Sequence, residues 1–596
     1  MLNTVLIHNC TREFVYPVER NTLEFKLTSN KGKKSEISLI CWNNLREDDT
    51  RKRIKMELNS SDNDFNYYRC QLTVDDAVRY LRYYFEISSS QEKLYLGANG
   101  KREKKPQNGF FEYHYTNEND VFKTPNWIKG AVFYQVFPER FCNGDFSNDP
   151  SNVEKWGAVP TRENFFGGDI QGIISKLDYL SELEIDAIYL TPVFQSPSNH
   201  KYDTVDYYTI DPSFGSIKDM RELVKQCHER GIKVVLDGVF NHCGYYFEPF
   251  QDVIRNGEKS KYKSWFYIAE FPVQTDPANY ECVGYYKWMP KLRHANQEVR
   301  DYVLGVGEYW IKELDIDGWR LDVADEVDFT LWQEFRRRVK AVKKDAVIIG
   351  ETWTDGRDLL RGDQMDSIMN YLFRDAVVQF VAKGTISACE FGDIIGKMFS
   401  IYQSNVYDGL YNLIGSHDTE RFLTLCDNDI RKLKLAVGMQ MTFPGAPAIY
   451  YGDEIGMLGE NDPGCRGGMS WSDQNDEIKE FYMKMIRIRK RTEALTKGSF
   501  HCIVCEDGLY GYARKHDSSV VYVIINNNEE KRTIKVPIID NIRELTYKSV
   551  LSDNTYHAKN MESKKASHNS DMDIYNGFFE IELEGFNLEI IKKEER

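Results

Sequence analysis

The stretch GWRLDVADEVD, residues 318–328, joins a short apolar run to a run of acidic residues. The residues before Asp322 predict a buried strand, and the polar residues after it predict the start of a helix. The same succession recurs around Glu351 in VIIGETW and around Asp418 in NLIGSHDTE. In a closed barrel of parallel strands, such strand-to-helix junctions share one rim. We therefore expect these three carboxylates to lie near one another.

Strand and helix patterns alternate through the middle of the chain, which predicts βα units and a parallel sheet. Eight strand candidates occur: AVFYQVF, AIYLTPV, KVVLDGVFNH, DGWRLDVA, AVIIGETW, SIMNYLF, LYNLIGSHD and PAIYYGDEIG. Eight such units favour the α/β class and a (β/α)8 TIM barrel over residues 123–496. The long, irregular and aromatic segment 243–290 interrupts the alternation and indicates an inserted subdomain.

The two ends of the chain show only strand-like alternation. Residues 1–122 predict an N-terminal β-sandwich, and residues 497–596 predict a C-terminal β-sandwich. The chain of 596 residues is long enough for three such domains.

The charge and the apolar segments exclude several partners. A formal net charge of −15 argues against nucleic acid, whose phosphates would be repelled. No segment approaches the ~20 apolar residues of a membrane span, and the first residues lack the apolar core of a secretory signal. We expect a cytoplasmic protein that binds neither nucleic acid nor membranes.

Twelve cysteines are scattered through the chain without a disulfide or zinc-site spacing, which favours free thiols in a reducing compartment. The close pair Cys502 and Cys505 lies in the predicted strand FHCIVC. In a regular strand, their odd separation directs the two side chains to opposite faces.

Two carboxylates on one barrel rim can carry out glycoside hydrolysis, because one attacks the sugar carbon while the other protonates the leaving oxygen. A lone Asp after a strand more often caps the following helix. Three acids, accompanied by Arg320 and His417, favour the catalytic interpretation.

Four segments in order, DGVFNH (237–242), GWRLDVADEVD (318–328), GETW (350–353) and GSHDTE (415–420), resemble the signature regions of the α-amylase superfamily, glycoside hydrolase family 13. The segment MPKLR (289–293) resembles an extra signature of the neopullulanase, cyclomaltodextrinase and maltogenic amylase subgroup. Two positions depart from the subgroup pattern: Arg293 replaces the usual Asn, and Asp325 replaces the Asn of VANEVD. Both lie where acceptor sugars or water would bind.

The resemblance implies roles for individual residues. Asp322 would be the nucleophile, Glu351 the general acid/base and Asp418 the third carboxylate, with Asp237 supporting Arg320. The implied substrate-binding residues are Tyr202, His242, Arg320, Glu326, Trp353, His417, Asp462 and Arg466.

The loop FCNGDFSNDP places oxygen ligands of the kind that Ca²⁺ prefers within a few residues. Such a run is also typical of a plain turn. The resemblance implies a calcium site formed by Asn143, Asp145, Asn148 and Asp149, and completed by the Gly167 carbonyl and Asp169.

The expected activity is retaining hydrolysis of glucosidic bonds, α-1,4 bonds first and α-1,6 bonds as a further candidate, in cyclodextrins, pullulan and maltooligosaccharides. Two alternatives stay open: an intracellular α-glucanotransferase with the same intermediate, and a non-catalytic glucan-binding protein. The subgroup implies a homodimer formed through residues 1–122. A starch-binding role of that module would instead need exposed aromatic side chains, for which the candidates are Trp42, Tyr67, Tyr68, Tyr83 and Tyr84.

Overall fold

Eight parallel strands form a barrel at the centre of the molecule. The structure is a computed structural model that describes residues 4–32, 35–89, 93–539, 546–560 and 577–593. We number the barrel strands in chain order as β1 (Phe133–Val136), β2 (Ala187–Leu190), β3 (Lys233–Gly238), β4 (Gly318–Leu321), β5 (Val347–Gly350), β6 (Ser367–Ile368), β7 (Tyr411–Leu413) and β8 (Ala446–Tyr450). Each pairs in parallel with its neighbour, β8 pairs with β1, and a parallel bridge from Met369 to Tyr411 joins β6 to β7. The predicted (β/α)8 barrel is confirmed.

Helices surround the barrel and bury their apolar faces against the strands. Their bounds are Pro138–Phe141, Ile170–Ser175, Leu177–Glu182, Ile217–Glu229, Gln297–Leu314, Phe329–Val342, Tyr371–Val377, Ala388–Ile401, Phe422–Leu425, Ile430–Thr442, Asp476–Lys490 and Glu493–Lys497. The helix Ile217–Glu229 shows how the sequence determines where a helix starts and which face it buries. Ser216 and Asp219 form a capping box at its start, and its buried side chains recur at helical spacing. Among the described residues, no helix is long and apolar enough to cross a membrane.

The segment after β3 leaves the barrel, as expected of an inserted subdomain. It contains the helix Glu248–Asn256 and is otherwise irregular. Isolated bridges from His242 to Lys291 and from Phe266 to Leu292 close it on itself. The insertion therefore stands beside the rim where β3 and β4 end.

The N-terminal module consists of two antiparallel sheets. One contains Leu6–Ile7, Val15–Glu19, Thr22–Asn30, Glu57–Ser61 and Phe65–Thr73; the other contains Glu36–Asn43, Lys52–Lys55, Arg79–Ser88, Lys93–Gly97, Gly100–Arg102 and Phe111–Tyr115. The short helix Glu47–Thr50 lies between strands of the second sheet.

The aromatic platform considered for starch binding does not form as a whole. Trp42, Tyr83 and Tyr84 are each at most 2% exposed, because they pack inside or behind the second sheet. Trp42 is covered by Phe110, with ring centroids 4.8 Å apart. This part of the starch-binding alternative was wrong.

The C-terminal domain also has two antiparallel sheets. The larger contains Ser499–Glu506, Leu509–His516, Ser519–Asn526, Thr546–Ser549, Thr555–His557 and Asn587–Lys593; the smaller contains Arg532–Pro537, Lys559–Asn560 and Gly577–Leu583. Residues 540–545, 561–576 and 594–596 of the predicted domain lie outside the described residues.

A β-bulge in the strand Ser499–Glu506 overturns the prediction for the cysteine pair. The register shifts between Cys502 and Val504, so that Cys502 opposes Tyr512 and Cys505 opposes Tyr510. Because the bulge adds one residue, the two cysteines lie on the same face of the strand rather than on opposite faces.

Candidate active site

The guanidinium of Arg320 lies at the centre of the rim and contacts three carboxylates. Its Nη1 lies 2.9 Å from Asp322 Oδ1 and 3.0 Å from Asp237 Oδ2, and its Nη2 lies 2.8 Å from Glu351 Oε2. Asp237 ends β3, Arg320 belongs to β4, and Glu351 follows β5. Adjacent parallel strands thus bring together side chains that are far apart in the sequence.

The backbone after Asp322 is turned into an unusual conformation. Val323 has φ of +44°, in the left-handed region that β-branched residues avoid. In this conformation its N–H donates to Glu351 Oε2 over 2.9 Å. Strain at such a position is typical of a functional site, and here it fixes the Glu351 carboxyl beside Asp322.

One cation cannot balance three buried carboxylates. Asp322 and Glu351 are 5% and 4% exposed, so the barrel shields both from water. Burial raises the pKa of Glu351, and the negative charges of Asp418 and Asp237 raise it further against the opposing effect of Arg320. Burial and Glu351 likewise raise the pKa of Asp322. The two carboxyl groups titrate as a pair that holds a proton above the usual range.

Asp418 contacts one guanidinium and one imidazole. Arg466 Nη2 lies 3.0 Å from its Oδ1, and His417 Nε2 lies 3.0 Å from its Oδ2. Although burial acts in the opposite direction, His417, Arg466 and Arg320 hold the pKa of Asp418 below its usual value. Arg466 also pairs with Asp462 over 2.9 Å. Asp418 is therefore the rim acid that stays ionised.

Tyr202 and His417 form a stacked pair at the base of the site. Their rings are nearly parallel, with centroids 5.4 Å apart, and the Tyr202 hydroxyl lies 2.6 Å from His417 Nε2. Gln135 holds the other ring nitrogen over 2.6 Å. Burial lowers the pKa of His417 to about 3, so its ring is neutral and serves as a hydrogen-bonding group.

The remaining predicted residues line the approach from the insertion and from β5. His242 Nε2 lies 3.2 Å from the Tyr202 carbonyl oxygen, and no described residue bonds its buried Nδ1. Glu326 is exposed and pairs with Lys291 over 2.9 Å. Trp353 is 46% exposed and stacks on Tyr371, with ring centroids 4.0 Å apart.

Several residues at this site were missed in the sequence. Gln135 belongs to β1, Tyr189 belongs to β2, and Tyr371 follows β6. Tyr189 donates to Asp237, and Tyr371 supports Trp353. A search of every barrel strand end for polar and aromatic residues would have found them.

The two departures from the subgroup pattern both have partners. Thr352 Oγ1 donates to Asp325 Oδ2 over 3.0 Å, which fixes the carboxylate beside Glu351. The Arg293 guanidinium lies over the Tyr267 ring, 5.7 Å from its centroid. Both side chains thus have partners outside the Arg320 cluster.

The loop predicted to bind calcium brings its oxygen atoms together around Gly167. Asn143 Nδ2 donates to Asp149 Oδ1 over 2.7 Å, and a Cβ at Gly167, where φ is +77°, would lie 2.3 Å from that oxygen. Asp169 caps the helix Ile170–Ser175 and also accepts from Asp145 N over 2.7 Å. Asp145 accepts from Ser147.

Two amide oxygens in this loop suit a hard cation. The buried Oδ1 atoms of Asn143 and Asn148 receive no hydrogen bond from the described residues. Within the same described ranges, no group of three or more His, Cys, Asp or Glu side chains could hold a metal. An ion here would depend on amide and backbone oxygens in addition to carboxylates, as Ca²⁺ does elsewhere.

Sequence comparisons agree with this arrangement. The family "Alpha amylase, catalytic domain" matches residues 135–493, the "Alpha amylase, N-terminal ig-like domain" matches residues 1–117, and the "Cyclo-malto-dextrinase C-terminal domain" matches residues 503–567. The chain belongs to the α-amylase family.

Relatives define the group within the family. A cyclomaltodextrinase of Thermoanaerobacter pseudethanolicus is 47% identical over 541 residues, covering 90% of this chain and 94% of the relative. Neopullulanase 2 of Thermoactinomyces vulgaris is 43% identical over 549 residues, covering 90% and 93%. A solved cyclomaltodextrinase structure superposes with a TM-score of 0.91 at 38% identity, covering 99% of both chains. This α-amylase family member therefore falls in the group of cyclomaltodextrinases and neopullulanases.

Proposed function

We propose that this chain is a retaining α-glucan hydrolase that cleaves α-1,4 and α-1,6 glucosidic bonds. The observation that carries the proposal is the contact of one guanidinium, that of Arg320, with both Asp322 and Glu351. This contact gathers a nucleophile and an acid on one rim, which is the equipment of glycoside hydrolysis.

The two carboxyl groups have different roles in the first step. Asp322 attacks the anomeric carbon as Glu351 transfers its proton to the glycosidic oxygen, so the carbon–oxygen bond breaks and a glucosyl ester of Asp322 forms. Arg320 stabilises the Asp322 carboxylate. This step requires the proton of the pair to be on Glu351, whose Oε2 accepts from the Val323 N–H and lies beside Arg320, so that Oε1 carries the hydrogen.

In the second step Glu351, now ionised, takes a proton from water, and the water oxygen attacks the same carbon. The bond from that carbon to Asp322 breaks, which releases the Asp322 carboxylate and the sugar. Two inversions give net retention of configuration. Asp418, ionised beside Arg466, binds hydroxyls of the same sugar, and Tyr202 supplies the flat face on which its ring stacks. His242 and His417 donate or accept hydrogen bonds as neutral rings.

The proposed substrates follow from the names of the relatives, which are cyclomaltodextrinases and neopullulanases. We infer that cyclodextrins, pullulan and maltooligosaccharides are cleaved, with Trp353 and Glu326 on the acceptor side and Asp462 and Arg466 on the opposite side. Incubating the protein with each of the three, and with starch, tests this inference. Hydrolysis raises the number of reducing ends, whereas a glucanotransferase redistributes chain lengths without raising it.

We also propose a structural Ca²⁺ in the loop 143–149. Asn143, Asn148, Asp149 and the Gly167 carbonyl would hold it, with Asp145 and Asp169 shaping the loop. Bound there, the ion would supply positive charge that ties the loop to the first helix of the barrel. It takes no part in bond cleavage.

Two further proposals concern the whole chain. We propose a homodimer formed through the N-terminal module; exposed aromatic side chains of the insertion, Tyr246, Tyr285 and Tyr286, supply apolar surface that a second copy could cover. We propose a cytoplasmic location because all twelve cysteines are free thiols. Light scattering at micromolar concentration tests the dimer, and a monomer would contradict it.

A further inference from the structure

Three thiols meet where the C-terminal domain packs on the barrel. The β-bulge places Cys502 and Cys505 on one face of the strand Ser499–Glu506. The helix Ala388–Ile401 lies against that strand and carries Cys389 in its first turn. We refer to Cys389, Cys502 and Cys505 as the thiol cluster.

Cys505 stands between the other two cysteines. Cys389 Sγ lies 2.8 Å from the Cys505 carbonyl oxygen, and Cys505 Sγ lies 3.2 Å from the Ala388 carbonyl oxygen. These reciprocal contacts bring the two sulfur atoms to the same junction. Gly392 leaves room for them, since a Cβ at that position would lie 3.0 Å from Cys505 Sγ.

The three thiols are accessible to solvent, and two of them differ in pKa. Cys389 and Cys502 are exposed and Cys505 is half-buried, so small reagents reach the cluster. A hydrogen bond from Cys505 lowers the pKa of Cys502, whereas the pKa of Cys505 is raised. Because the thiolate is the reactive form, Cys502 is the first nucleophile. Cys505 is the thiol that then attacks the oxidised Cys502.

We propose that the thiol cluster is an oxidation site, separate from the active site, that forms a disulfide when it meets a hydroperoxide. The Cys502 thiolate attacks the peroxide oxygen and becomes a sulfenic acid, and the alcohol or water of the peroxide leaves. The Cys505 thiol then attacks the Cys502 sulfur and displaces water. In sum, two thiols and one hydroperoxide give one disulfide, one water and one alcohol or second water.

Cys389 provides a second outcome. Its thiolate attacks Cys505 within the new disulfide, releases Cys502 as a thiol, and leaves a Cys389–Cys505 disulfide without any net change in oxidation state. That bond joins the barrel helix Ala388–Ile401 to the C-terminal domain. Oxidation thus forms a covalent link between two domains that otherwise contact each other only through non-covalent packing.

The test uses the reduced full-length protein with one equivalent of hydrogen peroxide, followed by alkylation and mass mapping of tryptic peptides. Cys502 and Cys505 fall in one tryptic peptide, residues 498–514, and Cys389 falls in another, residues 384–397. We expect the first peptide to lose two hydrogens, or to link to the second, at least tenfold faster than Cys10 is oxidised. Cys10 is the reference because it is exposed but lies outside the thiol cluster. Its sulfur lies near the Tyr83 hydroxyl of the N-terminal module.

Matched variants assign the roles. Cys502→Ser, at an exposed position, should slow disulfide formation at least tenfold, and Cys389→Ser should abolish only the link between the two peptides. Cys10→Ser should change neither result. The proposal is overturned if both peptides stay reduced while Cys10 is oxidised, or if Cys502→Ser forms disulfides at the rate of the parent.

Discussion

At the scale of single residues, Arg320 determines what the carboxylates of the rim can do. It is 1% exposed and contacts Asp237, Asp322 and Glu351 at once. Removing such a cation would leave buried negative charge uncompensated, a change that costs several kcal/mol, of order 3–5. The side chain therefore supports both the stability and the chemistry of the site.

Replacing Asp322 by Asn, or Glu351 by Gln, should lower kcat by about 10³-fold or more, because each change removes the group that attacks or protonates the sugar. Initial rates of reducing-end release measure the effect, and thermal melting verifies the fold. Asp517→Asn is the matched control, since Asp517 is exposed and belongs to the C-terminal domain, outside the active site. A loss of less than about tenfold in either catalytic variant, ~1.4 kcal/mol of barrier, would show that the roles are misassigned.

The pH profile should reflect the paired carboxyl groups. Activity needs Glu351 protonated, so kcat/KM falls as pH rises through the upper apparent pKa of the pair, which lies above that of an ordinary Glu. Replacing Asp418 by Asn removes a negative charge that raises the pKa of Glu351, so the alkaline limb should move to lower pH. Residual rates of maltooligosaccharide cleavage, in which the leaving oxygen needs the proton, measure the position of this limb. An alkaline limb that stays in place contradicts the electrostatic effect of Asp418.

At the scale of elements, the strand-to-helix junctions could be predicted from the sequence, whereas the local irregularities of the backbone could not. Apolar runs before Asp322, Glu351 and Asp418 placed these residues at strand ends, and the structure puts them there. The bulge beside Cys502 and the left-handed Val323 escaped prediction. Both depend on pairing and packing with distant residues, which a single strand's pattern does not contain.

The loop 143–149 should make the thermal stability of the protein depend on Ca²⁺. If Ca²⁺ binds there, chelation should lower Tm by several degrees, since a ligand at ~100 times its Kd adds about 2.7 kcal/mol to stability. Asn148→Ala, which deletes an amide oxygen that no described residue bonds, should melt at the same temperature with and without chelator. Thermal scans of both proteins suffice. An unchanged parent Tm after chelation would exclude the ion.

At the scale of the whole molecule, buried polar contacts join the N-terminal module to the barrel. Lys26 is 7% exposed, and its Nζ donates to the Ser400 carbonyl oxygen over 3.1 Å and to that of Tyr402 over 2.5 Å. Burial lowers its pKa to about 7, with Arg69 adding to the effect. The sequence predicted the module but gave no sign of this buried amino group, because Lys26 occupies an ordinary position in an alternating strand.

The sign of the resulting pH dependence follows from linkage. Between pH 7 and 10 the unfolded chain binds a proton at Lys26 that the folded chain lacks, so this residue's contribution to stability rises with pH, by up to about 1.4 kcal/mol per pH unit. The difference in unfolding free energy between the parent and Lys26→Met should therefore shift toward the parent from pH 7 to pH 9. Urea unfolding at the two pH values measures it, and a constant difference would refute the buried neutral amine.

The order of the domains could also be predicted from the sequence, because two regions with only strand patterns flank a region of alternating strands and helices. What the sequence could not give was contact between domains. The thiol cluster, the Lys26 contacts and the closeness of the insertion to the rim all arise from side chains separated by long stretches of chain.

The proposed mechanism passes through a covalent glucosyl-enzyme on Asp322, which water then hydrolyses with help from Glu351. Proton NMR during the first moments of maltooligosaccharide or cyclodextrin cleavage tests it most directly, because it records the anomer before mutarotation. The account predicts an initial product in the α-configuration. An initial β-anomer would mean direct attack by water and would contradict it.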